Sequence, residues 1–122
     1  MGRRALALFA IVTLTACGGG GSKSTPTTLP APVDERGHKV VEVIAKDNAF
    51  SPASIIVDLG TKVTWRNDDN VAHNIDNFGG GFGVLLSQFG PGASYSFKFT
   101  TAGTFTYTCT IHTGMAGQVE AR

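Results

Sequence analysis

Three segments of the chain alternate apolar and polar residues with a period of two, and this pattern constrains the fold more than any other feature. They are residues 62–67 (KVTWRN), 94–99 (SYSFKF) and 104–109 (TFTYTC). Successive side chains of a strand point to opposite faces, so each segment predicts a strand with one buried and one solvated face. Three further segments also predict strands: residues 39–45, 55–57 and 118–121. Because no segment has a helical period, the sequence predicts an all-β sandwich or barrel.

The length of 122 residues allows one domain, or one domain with a tail. A hydrophobic content of 42% is ordinary for a globular protein, and several of the 16 glycines occur in runs that are typical of linkers and turns. The formal net charge of +1 and the lack of any Lys/Arg cluster give no reason to expect nucleic acid as a partner.

The N-terminal residues have the organisation of a secretory signal. Arg3 and Arg4 precede an apolar run over residues 5–14, which is too short for a transmembrane helix. The sequence that follows, Leu-Thr-Ala-Cys17, resembles a bacterial lipobox, in which the cysteine is acylated and becomes the new N-terminus. The alternative is a plain signal peptide that happens to contain a cysteine. We predict a lipoprotein signal peptide over residues 1–16 and a membrane anchor at Cys17.

The segment after the signal, residues 17–37, consists largely of Gly, Ser, Thr and Pro. It cannot bury enough apolar surface to offset the entropy of ordering, so we predict a flexible tether. The folded domain is then expected over residues 38–122. A lipid-anchored domain on such a tether belongs in the bacterial cell envelope, outside the cytoplasm.

Few residues of the mature chain can bind a soft metal, and three of them lie within seven residues of one another. Cys109 ends a predicted strand, and His112 and Met115 lie on the loop that follows it. That loop can fold back so that the three side chains converge. A fourth candidate, His73, follows a distant strand and would tie two parts of the sandwich together through the metal. Because Cys17 and Cys109 each have another role, we expect no disulfide.

The types of these four residues favour copper over other metals. Hard cations prefer carboxylate and carbonyl oxygens, and structural zinc sites commonly have paired Cys-x-x-Cys ligands, which this sequence lacks. One thiolate, two imidazoles and a weak thioether are the ligand set of blue-copper electron-transfer sites. We therefore predict one copper ion bound by His73, Cys109, His112 and Met115.

A C-terminal motif, YTCTIHTGMAGQV over residues 107–119, resembles the copper-binding motif of the cupredoxins, the plastocyanin and amicyanin group. The similarity extends over residues 39–122. It implies a Greek-key β-sandwich with the copper at one end and His112 near the surface. It also implies that Asn74 donates its backbone N–H to the ligand sulfur and that its side chain braces the ligand loop near Thr110.

Other residues have a simpler interpretation. Asp68 and Asp69 suggest a hard-cation site, but a turn cluster explains them better. His38 borders the tether and has no neighbouring donor. The aromatic residues of the predicted strands are expected in the core: Trp65, Tyr95, Phe97, Phe99, Phe105 and Tyr107. The glycine-rich segment 78–86 has no counterpart in the family, so the surface around the site is not predicted.

The predicted function is that of a type 1 (blue) copper protein that carries single electrons. Four protein ligands leave no open position for a substrate, so enzymatic chemistry is not expected. The alternative is an extracytoplasmic copper carrier or sensor that uses the same ligands. We predict a monomer whose partners are redox proteins, with neither the electron donor nor the acceptor identified by the sequence.

Overall fold

The computed structural model describes residues 28–122, which form two packed β-sheets and one turn of 3-10 helix at Leu86–Gln88. The strands, in chain order, are β1 (Val33–Asp34), β2 (Val40–Lys46), β3 (Ala49–Ser51), β4 (Ser54–Val57), β5 (Lys62–Asn67), β6 (Ile75–Asp76), β7 (Gly83–Val84), β8 (Ser94–Lys98), β9 (Gly103–Thr108) and β10 (Ala116–Ala121). One sheet has the strand order β1-β4-β10-β9-β6-β7, and the other has the order β3-β2-β5-β8. No helix within residues 28–122 has the length and hydrophobicity needed to cross a bilayer.

The connections between strands cross repeatedly from one sheet to the other. The chain runs from β3 in the smaller sheet to β4 in the larger one, and back to β5 in the smaller. As a result, β2 pairs with β5, and β4 with β10, in parallel. Parallel neighbours cannot be joined by a tight hairpin, so the chain must leave the sheet between them. The two sheets and these crossovers confirm the predicted all-β Greek-key β-sandwich.

All six strands predicted from the sequence are present, with ends within two residues of those expected. In β5 the alternation of side chains holds as predicted: Val63 and Trp65 are fully buried, and Lys62 is exposed. The strands that the sequence did not reveal are β1, β3, β6 and β7. Each has only two or three residues, which is too short for an alternating pattern to be recognised.

Trp65 lies at the centre of an aromatic core between the sheets. Its fully buried ring stacks on Phe82 and Tyr95, with centroid distances of 5.6 and 5.8 Å, and meets the Tyr107 ring edge-on at 5.4 Å. The other aromatic residues that were predicted to lie in the core pack against the same cluster: Phe97, Phe99 and Phe105. The expectation that these residues form the core is confirmed.

The glycine-rich segment delivers Phe82 into this core. Phe82 is 9% exposed and contacts four further aromatic rings besides that of Trp65. The glycines around it give the backbone the space and the conformation that this insertion needs. A Cβ at Gly83, where φ is +148°, would lie 2.5 Å from the carbonyl oxygen of Ile75. The segment without a family counterpart therefore has a structural role, because it supplies a core side chain.

Gly117 faces Tyr107 across the β9–β10 pair, and we expect its replacement by alanine to destabilise the fold. The new Cβ would lie 2.3 Å from the Cζ and Oη atoms of Tyr107. That ring is 1% exposed and is held between Phe50 and Trp65, so it has little room to move. Overpacking of this kind lowers the free energy of unfolding by about 1–3 kcal/mol, measurable by urea denaturation.

The matched control for this variant is Gly90→Ala, because nothing lies within 4 Å of the position of its Cβ. We expect the free energy of unfolding of this control to change by less than about 1 kcal/mol. Equal stability of the two variants would contradict the close packing of Tyr107 against Gly117.

Part of the predicted tether is ordered. β1 lies within residues 17–37 and pairs in parallel with β4, and Gly37 donates its backbone N–H to Asp58 at 2.7 Å. The packed structure thus begins before residue 38, which differs from the predicted domain boundary because two-residue strands give no sequence signal. The predicted signal peptide and the anchor at Cys17 lie outside the described residues, as does most of the tether, and they stay predictions.

Candidate metal centre

One thiol and two imidazoles converge at one end of the sandwich. The Nδ1 atoms of His73 and His112 are 3.1 Å apart, and the Sγ atom of Cys109 lies 3.8 Å from the first and 3.4 Å from the second. Ligand atoms of all three residues lie within 4.8 Å of one another. His73 and Cys109 are 0% and 2% exposed, whereas His112 is half-buried, so the cluster meets solvent on its His112 side.

The loop between β9 and β10 carries three of the four predicted ligands. The backbone N–H of Cys109 donates to the carbonyl of Met115 at 2.9 Å, and that of Met115 donates to the carbonyl of His112 at 3.2 Å. Gly114, with φ of +81°, allows the tight turn between them. Met115 is 1% exposed, at the end of this closed loop and directly before β10. Its role as an axial ligand stays a prediction.

A separate loop between β5 and β6 carries His73, and Asn67 orders this loop. Asn67 is fully buried at the end of β5, and its side-chain amide donates to the carbonyls of Val71 and Phe89, both at 2.9 Å. Its Oδ1 accepts the backbone N–H of Asp69 at 2.9 Å. The backbone N–H of His73 donates to the same Phe89 carbonyl at 3.2 Å. One buried amide therefore fixes the path of the chain up to His73.

Asp69 contacts the far side of the His73 ring. Its Oδ2 atom lies 3.1 Å from the Nε2 atom of His73, and its side chain is 12% exposed. The backbone N–H of Asn70 holds the pKa of the Asp69 carboxyl below its usual range, and the hydrogen bond to His73 acts in the same direction. The sequence interpretation treated Asp69 only as part of a turn. No sequence pattern marks this contact, because acidic residues are common in turns whether or not a ligand lies nearby.

Asn74 joins the two loops. Its Nδ2 donates to the hydroxyl of Thr110 at 2.9 Å, and its Oδ1 accepts the backbone N–H of Thr110 at 2.8 Å. This pair of hydrogen bonds is the bracing contact that the family resemblance implied. The other implied contact, from the backbone N–H of Asn74 to the sulfur of Cys109, stays a prediction. The two-point contact fixes the loop that begins at Cys109 relative to the loop that ends at His73.

The chemistry of the cluster fits a soft metal ion. Two imidazole nitrogens that face each other at 3.1 Å repel unless a proton or a cation lies between their lone pairs. A nearby thiolate adds a soft, negatively charged donor. Among residues 28–122, the cluster of potential ligands includes no carboxylate. Copper is the ion that two imidazoles and one thiolate suit when a buried methionine lies nearby.

A small two-sheet β-sandwich with a Cys, His, His cluster at one end defines a class of copper-binding proteins. Sequence comparison is consistent with this class, because residues 38–122 match the family described as "Copper binding proteins, plastocyanin/azurin family". The chain therefore belongs to this family, the cupredoxins, as its sequence resemblance implied, and copper is the cofactor of its site.

Individual relatives agree with the family assignment. The chain is 32% identical to amicyanin of Paracoccus denitrificans over 120 residues, which cover 91% of this chain and 90% of that protein. It is 40% identical to plastocyanin of Scenedesmus fuscus over 84 residues, 60% of this chain and 86% of that protein. The match to amicyanin-alpha of Methylorubrum extorquens, at 36% identity, covers 57% of this chain and 61% of that protein.

Solved structures show the same fold. A structure titled "Novel Purple Cupredoxin from Nitrosopumilus maritimus" superimposes with a TM-score of 0.60 at 26% identity, covering 67% of this chain and 99% of that one. A reduced amicyanin variant superimposes with a TM-score of 0.57 at 29% identity, covering 68% of this chain and 82% of the other.

Proposed function

We propose that His73, Cys109, His112 and Met115 bind one copper ion and that the protein carries single electrons between redox partner proteins. The observation that carries this proposal is the convergence of the Cys109 sulfur and the two Nδ1 atoms at distances of 3.1–3.8 Å. Bound copper would supply one-electron chemistry by cycling between Cu(I) and Cu(II). Turnover of a substrate is not expected, since four protein ligands leave no open position.

The surroundings of the cluster suit electron transfer in two respects. Hydrogen bonds within and between the two loops hold the ligands in place, so a change of charge need not rearrange them. Burial of His73 and Met115 excludes water from the inner side of the site. On the outer side, half-buried His112 offers the short path to a partner, beside Ile111, which is 50% exposed.

Stopped-flow reduction of the copper-loaded protein tests this function. A small-molecule reductant and then an oxidant should reduce and reoxidise the site reversibly, with one copper ion per chain retained after gel filtration. Release of Cu(I) on reduction, to a chelator of moderate affinity, would contradict electron transfer and favour the alternative function of copper delivery.

We also propose that the protein is a monomer anchored outside the cytoplasmic membrane of a bacterium through acyl chains on Cys17. The support is the sequence before residue 18, where a short apolar run ends at a lipobox-like cysteine. Replacement of Cys17 by serine is expected to move the protein from the membrane fraction to the soluble extracytoplasmic fraction. Continued membrane association of this variant would contradict lipidation, and the Ser22→Ala variant serves as a control that stays with the membrane.

A further inference from the structure

We propose that Asp69 is a positioning residue for the copper site: it fixes the ring of His73 with Nδ1 facing the metal and lowers the reduction potential through its negative charge. The inference rests on the proposed function, because it concerns the same site. Asp69 is not one of the four predicted ligands, and the sequence alone explained it only as part of a turn.

The geometry of the His73 ring supports the proposal that Asp69 fixes its orientation. Its Nε2 lies 3.1 Å from the Oδ2 of Asp69, while its Nδ1 lies 3.1 Å from the Nδ1 of His112. A carboxylate accepts hydrogen bonds and cannot donate them, so Nε2 must carry the proton. In a neutral imidazole the other nitrogen then has a free lone pair. Asp69 therefore selects the tautomer in which Nδ1 is the metal ligand.

The carboxylate is itself held in place by two further hydrogen bonds. Its Oδ2 also accepts the backbone N–H of Asp47 at 3.0 Å, and its Oδ1 accepts that of Asn70 at 2.8 Å. Its own backbone N–H donates to the buried Oδ1 of Asn67 at 2.9 Å. These contacts tie Asp69 to the turn between β2 and β3 as well as to its own loop. The hydrogen bonds that position the carboxylate beside His73 therefore come from two separate turns of the protein.

The negative charge of Asp69 supports its proposed effect on the reduction potential. Only one imidazole ring separates the carboxylate from the ligand atoms, and that ring is 0% exposed, so water screens the interaction poorly. A negative charge stabilises Cu(II), with its higher positive charge, more than Cu(I). It therefore favours the oxidised state. A carboxylate on a histidine ligand also makes the ligand more basic, which strengthens the same preference.

The test compares two asparagine variants of the full chain, loaded with copper. Asp69→Asn removes the charge at His73, whereas Asp68→Asn removes the charge of its exposed neighbour, for which the structure gives no contact with the ring. In Asp69→Asn we expect the Cu(I):Cu(II) ratio at a fixed applied potential to rise about tenfold, which is a shift of about 59 mV for one electron. Affinity for Cu(II) should fall about 10- to 100-fold. Asp68→Asn should change the ratio less than about threefold, because exposed charges are screened.

A third variant, Asp69→Glu, keeps the charge and should hold the ratio closer to that of the parent protein than Asp69→Asn does. If the asparagine variant fails to fold, the glutamate variant still reports how the position of the carboxylate affects the potential. In the Cu(I) form, nitrogen–proton NMR correlation of His73 should show a protonated Nε2 and an unprotonated Nδ1.

The outcomes separate this inference from the proposed function. A blue parent protein in which Asp69→Asn shifts the potential no more than Asp68→Asn would overturn the role of Asp69 and leave the copper function intact. So would Asp69→Glu shifting the potential as far as Asp69→Asn. A His73 ring protonated at Nδ1 would contradict the role of Asp69 and also the binding of copper at that nitrogen, because a protonated nitrogen has no free lone pair. A parent protein without a blue copper site would instead overturn the proposed function.

Discussion

Replacement of Cys109 by serine is expected to abolish the intense visible absorption that we predict for the Cu(II) protein. That absorption arises from charge transfer between a thiolate sulfur and copper. A serine hydroxyl is a hard, protonated donor, and it cannot replace the thiolate in the cluster with His73 and His112. The measurement is the visible spectrum of each protein after titration with Cu(II).

The serine variant should still fold, because the two side chains have nearly the same shape. Burying a hydroxyl at a position that is 2% exposed lowers the free energy of unfolding by about 1–3 kcal/mol, which far-UV circular dichroism during urea denaturation can detect. Thr113→Ala, an exposed change in the same loop, is the control and should keep the visible band. An unchanged band in Cys109→Ser would show that the sulfur is not a ligand.

Asn67→Ala is expected to destabilise the protein strongly, although Asn67 is not a metal ligand. The substitution removes the side-chain donor to the carbonyl of Val71 and one of the two donors to the carbonyl of Phe89. It also leaves the backbone N–H of Asp69 without its acceptor. Each of the three lost hydrogen bonds contributes about 0.5–1.5 kcal/mol, so we expect the free energy of unfolding to fall by about 2–4 kcal/mol in total. Urea denaturation of the metal-free protein measures this loss without the stabilisation that a bound ligand adds.

The same substitution should weaken copper binding, because Asn67 orders the loop that presents His73. The control is Asn70→Ala, three residues away. The Asn70 side chain is exposed and forms no hydrogen bond within residues 28–122. Its free energy of unfolding should change by less than about 0.5 kcal/mol. Similar losses in the two variants would contradict the role of Asn67 as the residue that orders this loop.

The parts of the fold that the sequence revealed are those with a repeated physical pattern. Segments such as β5 and β9 show the alternation of a half-buried strand over six residues, so both their existence and their buried faces could be predicted. Strands of two residues, such as β1 and β6, are determined by pairing with distant strands and leave no local pattern. The buried position of Phe82 also could not be predicted, because the glycines around it in the sequence give no alternating pattern.

The residues of the candidate site also differ in whether the sequence could predict them. The spacing of Cys109, His112 and Met115 placed them on one loop, and the rarity of soft donors singled out His73. The contact of Asp69 with His73 was not predicted, because acidic and amide residues are common in turns whether or not a ligand lies nearby. Only the path of the loop, which the buried Asn67 fixes, shows that one of these acidic side chains reaches the ring.

The central claim is that the cluster holds a blue copper ion, and the spectra of the full-length protein with Cu(II) test it most directly. Titration should reach a plateau at one copper ion per chain, with an intense sulfur-to-copper band in the visible and a compressed hyperfine splitting in the electron paramagnetic resonance spectrum. A nearly colourless complex with the splitting of ordinary square-planar Cu(II) would contradict the claim.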